Sequence, residues 1–268
     1  MPYITLREKS LYYRLVSPEQ GNAATGTTFL FVHGLGSSSS FYATIIPSLV
    51  AAGYTGVAFD THGSGNSKYN GQYGGIGGIV EDAKELIKQL SLDTSRLIAV
   101  GHSMGAIVAS ELSVQLGLCG AVLIGPVNPN PGLAPIFDAR IATVEKNGMD
   151  AMADTIPAAA TGPKSTETQR AFIRALLLSQ SPEGYNSLCK AISDAKQPEY
   201  AQSQSPLLII SGSHDKTSPL EAAQNIQKSW GTGVKTRLEI LEGVGHWHCI
   251  EAADEVEKLI EAFAGELR

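Results

Sequence analysis

The sequence predicts an α/β fold: a mostly parallel central sheet flanked by helices and interrupted once by a helical insertion. Three observations carry that prediction. Short apolar runs bounded by glycine or polar residues recur along the chain, amphipathic helical patterns alternate with them, and the alternation stops between Pro126 and Gln204. Strands alternating with helices make βαβ units, whose right-handed crossovers lay helices on both faces of a parallel sheet.

The chain opens on two alternating stretches, Tyr3 to Arg7 and Leu11 to Val16, which flank the polar Glu8-Lys9-Ser10 and read as a β-hairpin. Apolar runs follow at Thr28–Val32, Val57–Phe59, Leu97–Val100, Ala121–Ile124, Leu207–Ile210 and Leu238–Leu241, and these read as strands buried on both faces. Ile76, Val80, Ala83, Ile87 and Leu90 recur at helical spacing, as do Val256, Leu259, Ile260 and Phe263. In the insertion, Ser181-Pro182 supplies an N-cap and a first helical position, after which Tyr185, Leu188 and Ile192 share a face. The expected organisation is one domain, with residues 1–126 and 205–268 forming the core and 127–204 a helical cap insertion.

A hydrophobic content of 43% and a charged content of 17% lie in the globular range and exclude a fibrous or disordered chain. The net charge of -6 has no basic run within it, so nucleic acid is not an expected partner. No apolar stretch reaches the length of a signal core or a membrane span, so a cytoplasmic protein with no membrane partner is expected. Cys119, Cys189 and Cys249 are far apart and lack the spacing of a disulfide framework or zinc site; no metal ligand set is expected.

The segment Leu97-Ile-Ala-Val-Gly101-His-Ser103-Met-Gly105 contains a G-x-S-x-G pattern. Alone this is weak, but here a strand ends before it and a helical pattern starts at Met104. Ser103 therefore falls on a tight strand-to-helix turn that lifts its hydroxyl above the sheet edge. A side chain at Gly101 or Gly105 would crowd that turn, and Ser103 is expected to adopt strained dihedrals.

A serine hydroxyl attacks only when an imidazole takes its proton, and the imidazole needs a partner that fixes its tautomer. Asp215 follows the strand ending at Ile210, and His246 follows the one ending at Leu241, so both stand at strand carboxyl ends with Ser103. The chain order Ser, Asp, His is the one this arrangement uses. The loop His33-Gly34-Leu35-Gly36 follows the first core strand, and the backbone N–H groups of Leu35 and Met104 are expected to form the oxyanion hole. His33 is expected to fix that loop rather than act as a base.

These pieces, together with Phe59-Asp-Thr-His-Gly-Ser-Gly-Asn-Ser67 and Gly245-His-Trp-His-Cys-Ile-Glu251, resemble the α/β-hydrolase superfamily over essentially the whole chain. The resemblance selects His246 as the base, because the superfamily's histidine stands five residues before a glutamate, here Glu251; His248 is out of register. Within the superfamily the insertion is most similar to that of 3-oxoadipate enol-lactonases, notably Gly148 to Thr155 and Ser179 to Tyr185. Where those lactonases carry an Arg-Trp-Phe cluster, this chain has Pro157-Ala158-Ala159-Ala160, which implies a smaller, less cationic wall and a different substrate.

The reading is a hydrolase of a small-molecule carboxylic ester or lactone that works through an acyl-enzyme without metal or organic cofactor. Ala158, Ala159 and Trp247 are expected to line the substrate pocket. Two other readings fit the same residues: hydrolysis of a carbon–carbon bond in a vinylogous diketone, and a small-molecule receptor on the same fold.

Overall fold

The computed structural model describes residues 2–19 and 24–267. Strands β1 (Tyr3–Leu6) and β2 (Lys9–Val16) form the opening hairpin. Their turn is the two-residue Arg7-Glu8, with φ of 47° and 67°, a conformation whose twist matches that of paired strands. The turn was expected at Glu8 to Ser10. Lys9 instead joins β2, because its side chain is buried and its ammonium donates to Asp82 at 2.7 Å.

The core continues with β3 (Thr28–Val32), α1 (Ile46–Ala51), β4 (Thr55–Phe59), α2 (Gly75–Gln89), β5 (Leu97–His102), α3 (Met104–Leu116) and β6 (Gly120–Ile124). Four helices then follow without a strand: α4 (Leu133–Asn147), α5 (Asp150–Ala159), α6 (Glu167–Leu178) and α7 (Pro182–Ser193). The chain re-enters the sheet with β7 (Leu207–Gly212) and α8 (Leu220–Ser229), and closes with β8 (Thr236–Leu241), α9 (His248–Glu251) and α10 (Ala253–Gly265).

These strands make one eight-stranded sheet in the order β1-β2-β4-β3-β5-β6-β7-β8. The pairs β1·β2 and β2·β4 are antiparallel, and every pair from β4 to β8 is parallel. Central strands β5, β6 and β7 are buried at every residue, as continuous apolar runs require. Strand β8 departs from that expectation. It lies at the sheet edge, so it is covered only in part, and Ile240 is 48% exposed.

The helices show the faces their spacing predicts. Ile76, Val80, Ala83 and Ile87 of α2 are buried, as are Val256, Ile260 and Phe263 of α10. Ser181 caps α7 by accepting the Gly184 N–H, with Pro182 in the first turn. Helix α3 is different, being buried from Met104 to Ser110, and Gly117 ends it in the left-handed conformation at φ 59°. It packs against the middle of the sheet, so its N-terminus is delivered to the carboxyl ends of the central strands.

Candidate active site

Ser103 stands between β5 and α3 with φ 54° and ψ -116°, a backbone conformation costing about 1–3 kcal/mol for a non-glycine residue. The turn is as tight as the glycines require. A Cβ on Gly101 would lie 2.2 Å from the Gly105 carbonyl oxygen, and one on Gly105 would lie 2.1 Å from the Val32 carbonyl oxygen. Glycine at both positions lets β5, α3 and β3 close around the serine.

The three residues expected to act together are brought together. His246 Nε2 lies 3.0 Å from Ser103 Oγ, and His246 Nδ1 lies 2.8 Å from Asp215 Oδ2. All three are buried. The second oxygen, Asp215 Oδ1, accepts the Thr217 and Ser218 N–H groups, each at 2.8 Å, which fixes the carboxylate plane. Burial pushes the Asp215 carboxyl up, but the charge and hydrogen bond of His246, with His248 and the Ser218 N–H, outweigh it and hold the group below the usual carboxylate range.

The backbone of His246 is held as firmly as its ring. Its N–H donates to the Ala160 carbonyl at 2.7 Å, and its own carbonyl lies 2.8 Å from His102 Nε2 and 2.9 Å from His248 Nδ1. Both of these imidazoles are fully buried, and burial is the largest effect lowering each below the ordinary histidine range, so both are neutral donors. His248 thus faces the carbonyl of His246 rather than Ser103. His214 is exposed and turned toward Ser213.

Glu251 holds the loop that carries His246. Its Oε1 accepts the Trp247 N–H at 2.9 Å, while Oε2 accepts the N–H groups of Gly245 and Gly162 and the Ser165 hydroxyl at 2.9, 2.7 and 2.7 Å. One carboxylate therefore brackets His246 in sequence and ties its loop to the stretch between α5 and α6.

His33 fixes the loop after β3. Its Nε2 accepts the Thr61 N–H at 3.0 Å, which leaves Nδ1 protonated and donating to the Gly34 carbonyl at 2.8 Å. The Leu35 N–H and the Met104 N–H, at the first position of α3, donate to no acceptor among the described residues. Unpaired amides beside Ser103 are the donors an oxyanion needs.

The sequence matches the alpha/beta hydrolase family across residues 29–259. The chain belongs to that family. Among relatives of this alpha/beta hydrolase, 3-oxoadipate enol-lactonase 2 of Acinetobacter baylyi is 25% identical over 87% of this chain and 86% of its own length. A candidate carbamate hydrolase of Variovorax paradoxus is 29% identical, but the match covers 55% of this chain and only 54%, about half, of that relative. A solved enol-lactonase of Burkholderia xenovorans superimposes with a TM-score of 0.87 at 24% identity, covering 98% of this chain and all (100%) of its own, and so shares the fold.

In this alpha/beta hydrolase, α4, α5 and α7 lie over the carboxyl edge of the sheet and enclose a cavity of about 230 Å³ that reaches Ser103 and His246. That is below the usual size for a drug-like ligand and fits a small substrate. Trp247 and Ala159 line it. Ala158 does not, whereas Ile156, Ala159 and Ala160 border the cavity. The wall is also more cationic than Pro157 to Ala160 implies, because Arg140 of α4 and Lys216 reach it from other elements. Sequence reading passed over Arg140, although Leu133, Ile136, Phe137 and Arg140 share one helical face and a charge on an apolar stripe was the available signal. His102, inside the elbow, gives no sign in sequence of its contact with the His246 carbonyl.

Among the described residues no helix is long and apolar enough to cross a membrane.

Proposed function

We propose that this chain hydrolyses a small carboxylic ester or lactone through an acyl-enzyme on Ser103. The observation that carries the reading is the unbroken line of contacts from Ser103 Oγ through His246 to Asp215, at 3.0 and 2.8 Å, at the floor of the cavity. Ser103 Oγ attacks the substrate carbonyl carbon while His246 Nε2 takes the hydroxyl proton. Asp215 holds Nδ1–H in place and stabilises the imidazolium.

Charge then collects on the carbonyl oxygen, where the Leu35 and Met104 N–H groups receive it without reorganising. When the tetrahedral species collapses, His246 returns its proton to the departing alkoxide, which for a lactone stays tethered to the acyl group. Water next attacks the Ser103 ester, gives its proton to His246, and the acid is released with the serine hydroxyl restored. Residues 127–204 act in this scheme as a cap, with Ala159 and Trp247 forming part of the substrate wall.

The enol-lactonase relative supports ester-type chemistry, and a carbamate ester would pass through the same steps. The test is labelling with a serine-directed fluorophosphonate, followed by a screen of aryl esters, lactones of several ring sizes, carbamates and a vinylogous diketone. One adduct on Ser103 with turnover of esters or lactones is expected. Cleavage of the diketone alone, or labelling without turnover of any substrate, would replace this reading with carbon–carbon hydrolysis or with a receptor.

A further inference from the structure

The cavity above Ser103 is apolar along most of its wall, with Leu133, Phe137, Ile156 and Leu177 contributing to it. Two polar groups, adjacent to one another, interrupt that wall. Arg140, on α4, makes no ion pair with any carboxylate among the described residues. Its guanidinium stands 5.3 Å from the Phe137 ring centroid, a contact that orients it but leaves its N–H fork free of an anion.

Tyr185, facing it from α7, is 1% exposed, and its buried hydroxyl closes no hydrogen bond of normal geometry, although it lies beside the Arg140 guanidinium and the Cys189 thiol. A buried phenol left so is unfavourable, and a cation without counter-charge in a half-buried wall adds to that cost. Nearby Cys189 supplies no counter-charge to Arg140, because burial pushes its thiol up to about 12 and keeps it neutral. Burial likewise keeps the Tyr185 phenol protonated, so both groups are donors.

Two adjacent donors, one of them cationic, in an otherwise apolar cavity accept one kind of ligand group well: a carboxylate, taken in bidentate fashion by the guanidinium and by the phenol O–H. Resting on the ester or lactone reading, we propose that the substrate's acyl part ends in a carboxylate, separated from the scissile carbonyl by a short apolar chain and held by Arg140 and Tyr185. The apolar wall contacts the spacer, and the cavity of about 230 Å³ limits it to a few carbons.

The probes are para-nitrophenyl half-esters of glutaric and adipic acids, each compared with the neutral ester in which an isopropyl group replaces the carboxylate. The intact protein should prefer the half-ester in kcat/KM, and Arg140→Gln should cut that preference by about 10- to 100-fold, chiefly through KM. Tyr185→Phe should cut it less, by about 5- to 10-fold. Glutarate should bind to Ser103→Ala in calorimetry and lose measurable binding in Ser103→Ala/Arg140→Gln.

Preference for the neutral ester, or an unchanged ratio in Arg140→Gln, overturns the carboxylate site while leaving the hydrolase reading intact. Failure of the intact protein to hydrolyse any of the esters overturns both. If Arg140→Gln does not fold, competition of glutarate with the neutral ester in the intact protein decides: inhibition supports the site, and its absence at millimolar glutarate removes it.

Discussion

Glu251 Oε2 accepts the Gly162 N–H at 2.7 Å, so the loop that carries His246 and the helices above the cavity are held by one carboxylate. Because that carboxylate also accepts from Gly245, Trp247 and Ser165, Glu251→Gln must turn an amide N–H toward at least one donor. We expect a loss of about 1–3 kcal/mol in urea unfolding and a lower kcat, since the imidazole loses its support. An unchanged midpoint and kcat would show that the bracket around His246 is dispensable.

Gly162 offers an independent check of the same junction. A Cβ there would lie 2.1 Å from the Gly243 carbonyl oxygen, a contact that backbone must move to relieve. Gly162→Ala should therefore lower both stability and kcat, whereas Gly148→Ala, at φ 70° but with nothing within 4 Å of its Cβ, should lower stability alone. Equal kinetic losses in the two variants would contradict the coupling.

His246 and His248 separate by mutation. His246→Ala should lose several orders of magnitude in kcat, and Asp215→Asn about 10⁴-fold through the wrong imidazole tautomer, with the two effects non-additive. His248→Ala removes one donor from the His246 carbonyl and should cost far less, about 10-fold in kcat. An inactive His248→Ala beside an active His246→Ala would reverse the assignment of the base.

Stability should fall in mild acid. His33, His62, His102 and His248 are all held below the ordinary imidazole range chiefly by burial, His62 at about 4. The unfolded chain protonates these rings as pH drops below about 6.5 while the folded chain does not, so unfolding takes up protons and each contributes about 1.4 kcal/mol per pH unit. The depressed Asp215 adds to the loss at lower pH, as it is protonated more readily in the unfolded chain. The urea midpoint at about pH 5 should lie well below that at about pH 7.5, and coincident midpoints would contradict neutral burial of these rings.

Substitution on α5 should act by helical phase. Ala159→Phe intrudes on the cavity and should reorder the preference among lactones and esters of different size, while Ala158→Phe, which does not border it, should leave the order unchanged. Reordering by Ala158→Phe alone would place the wrong face of α5 toward the substrate.

What the sequence disclosed was local or rigidly periodic. The elbow could be read because steric demands at Gly101, Ser103 and Gly105 act within five residues. The position of His246 could be read because Glu251 must reach the amides of Gly245 and Trp247 from one turn away. Features set by distant partners could not. Lys9 looks like a turn residue until Asp82, 73 residues on, buries its ammonium. The edge position of β8 depends on sheet order, and the cationic wall depends on Arg140 of α4 and Lys216 meeting at one cavity. The inward face of Pro157 to Ala160 was likewise a matter of helix phase that four small residues do not reveal.

The most direct test of the account is rapid-mixing kinetics with a para-nitrophenyl ester, joined to mass spectrometry of the acid-quenched protein. The account predicts a burst of nitrophenol approaching one equivalent, an acyl adduct on the peptide containing Ser103, and loss of both in Ser103→Ala with the fold retained. Steady turnover in Ser103→Ala at a rate near that of the intact protein, or an adduct on any other residue, would contradict it.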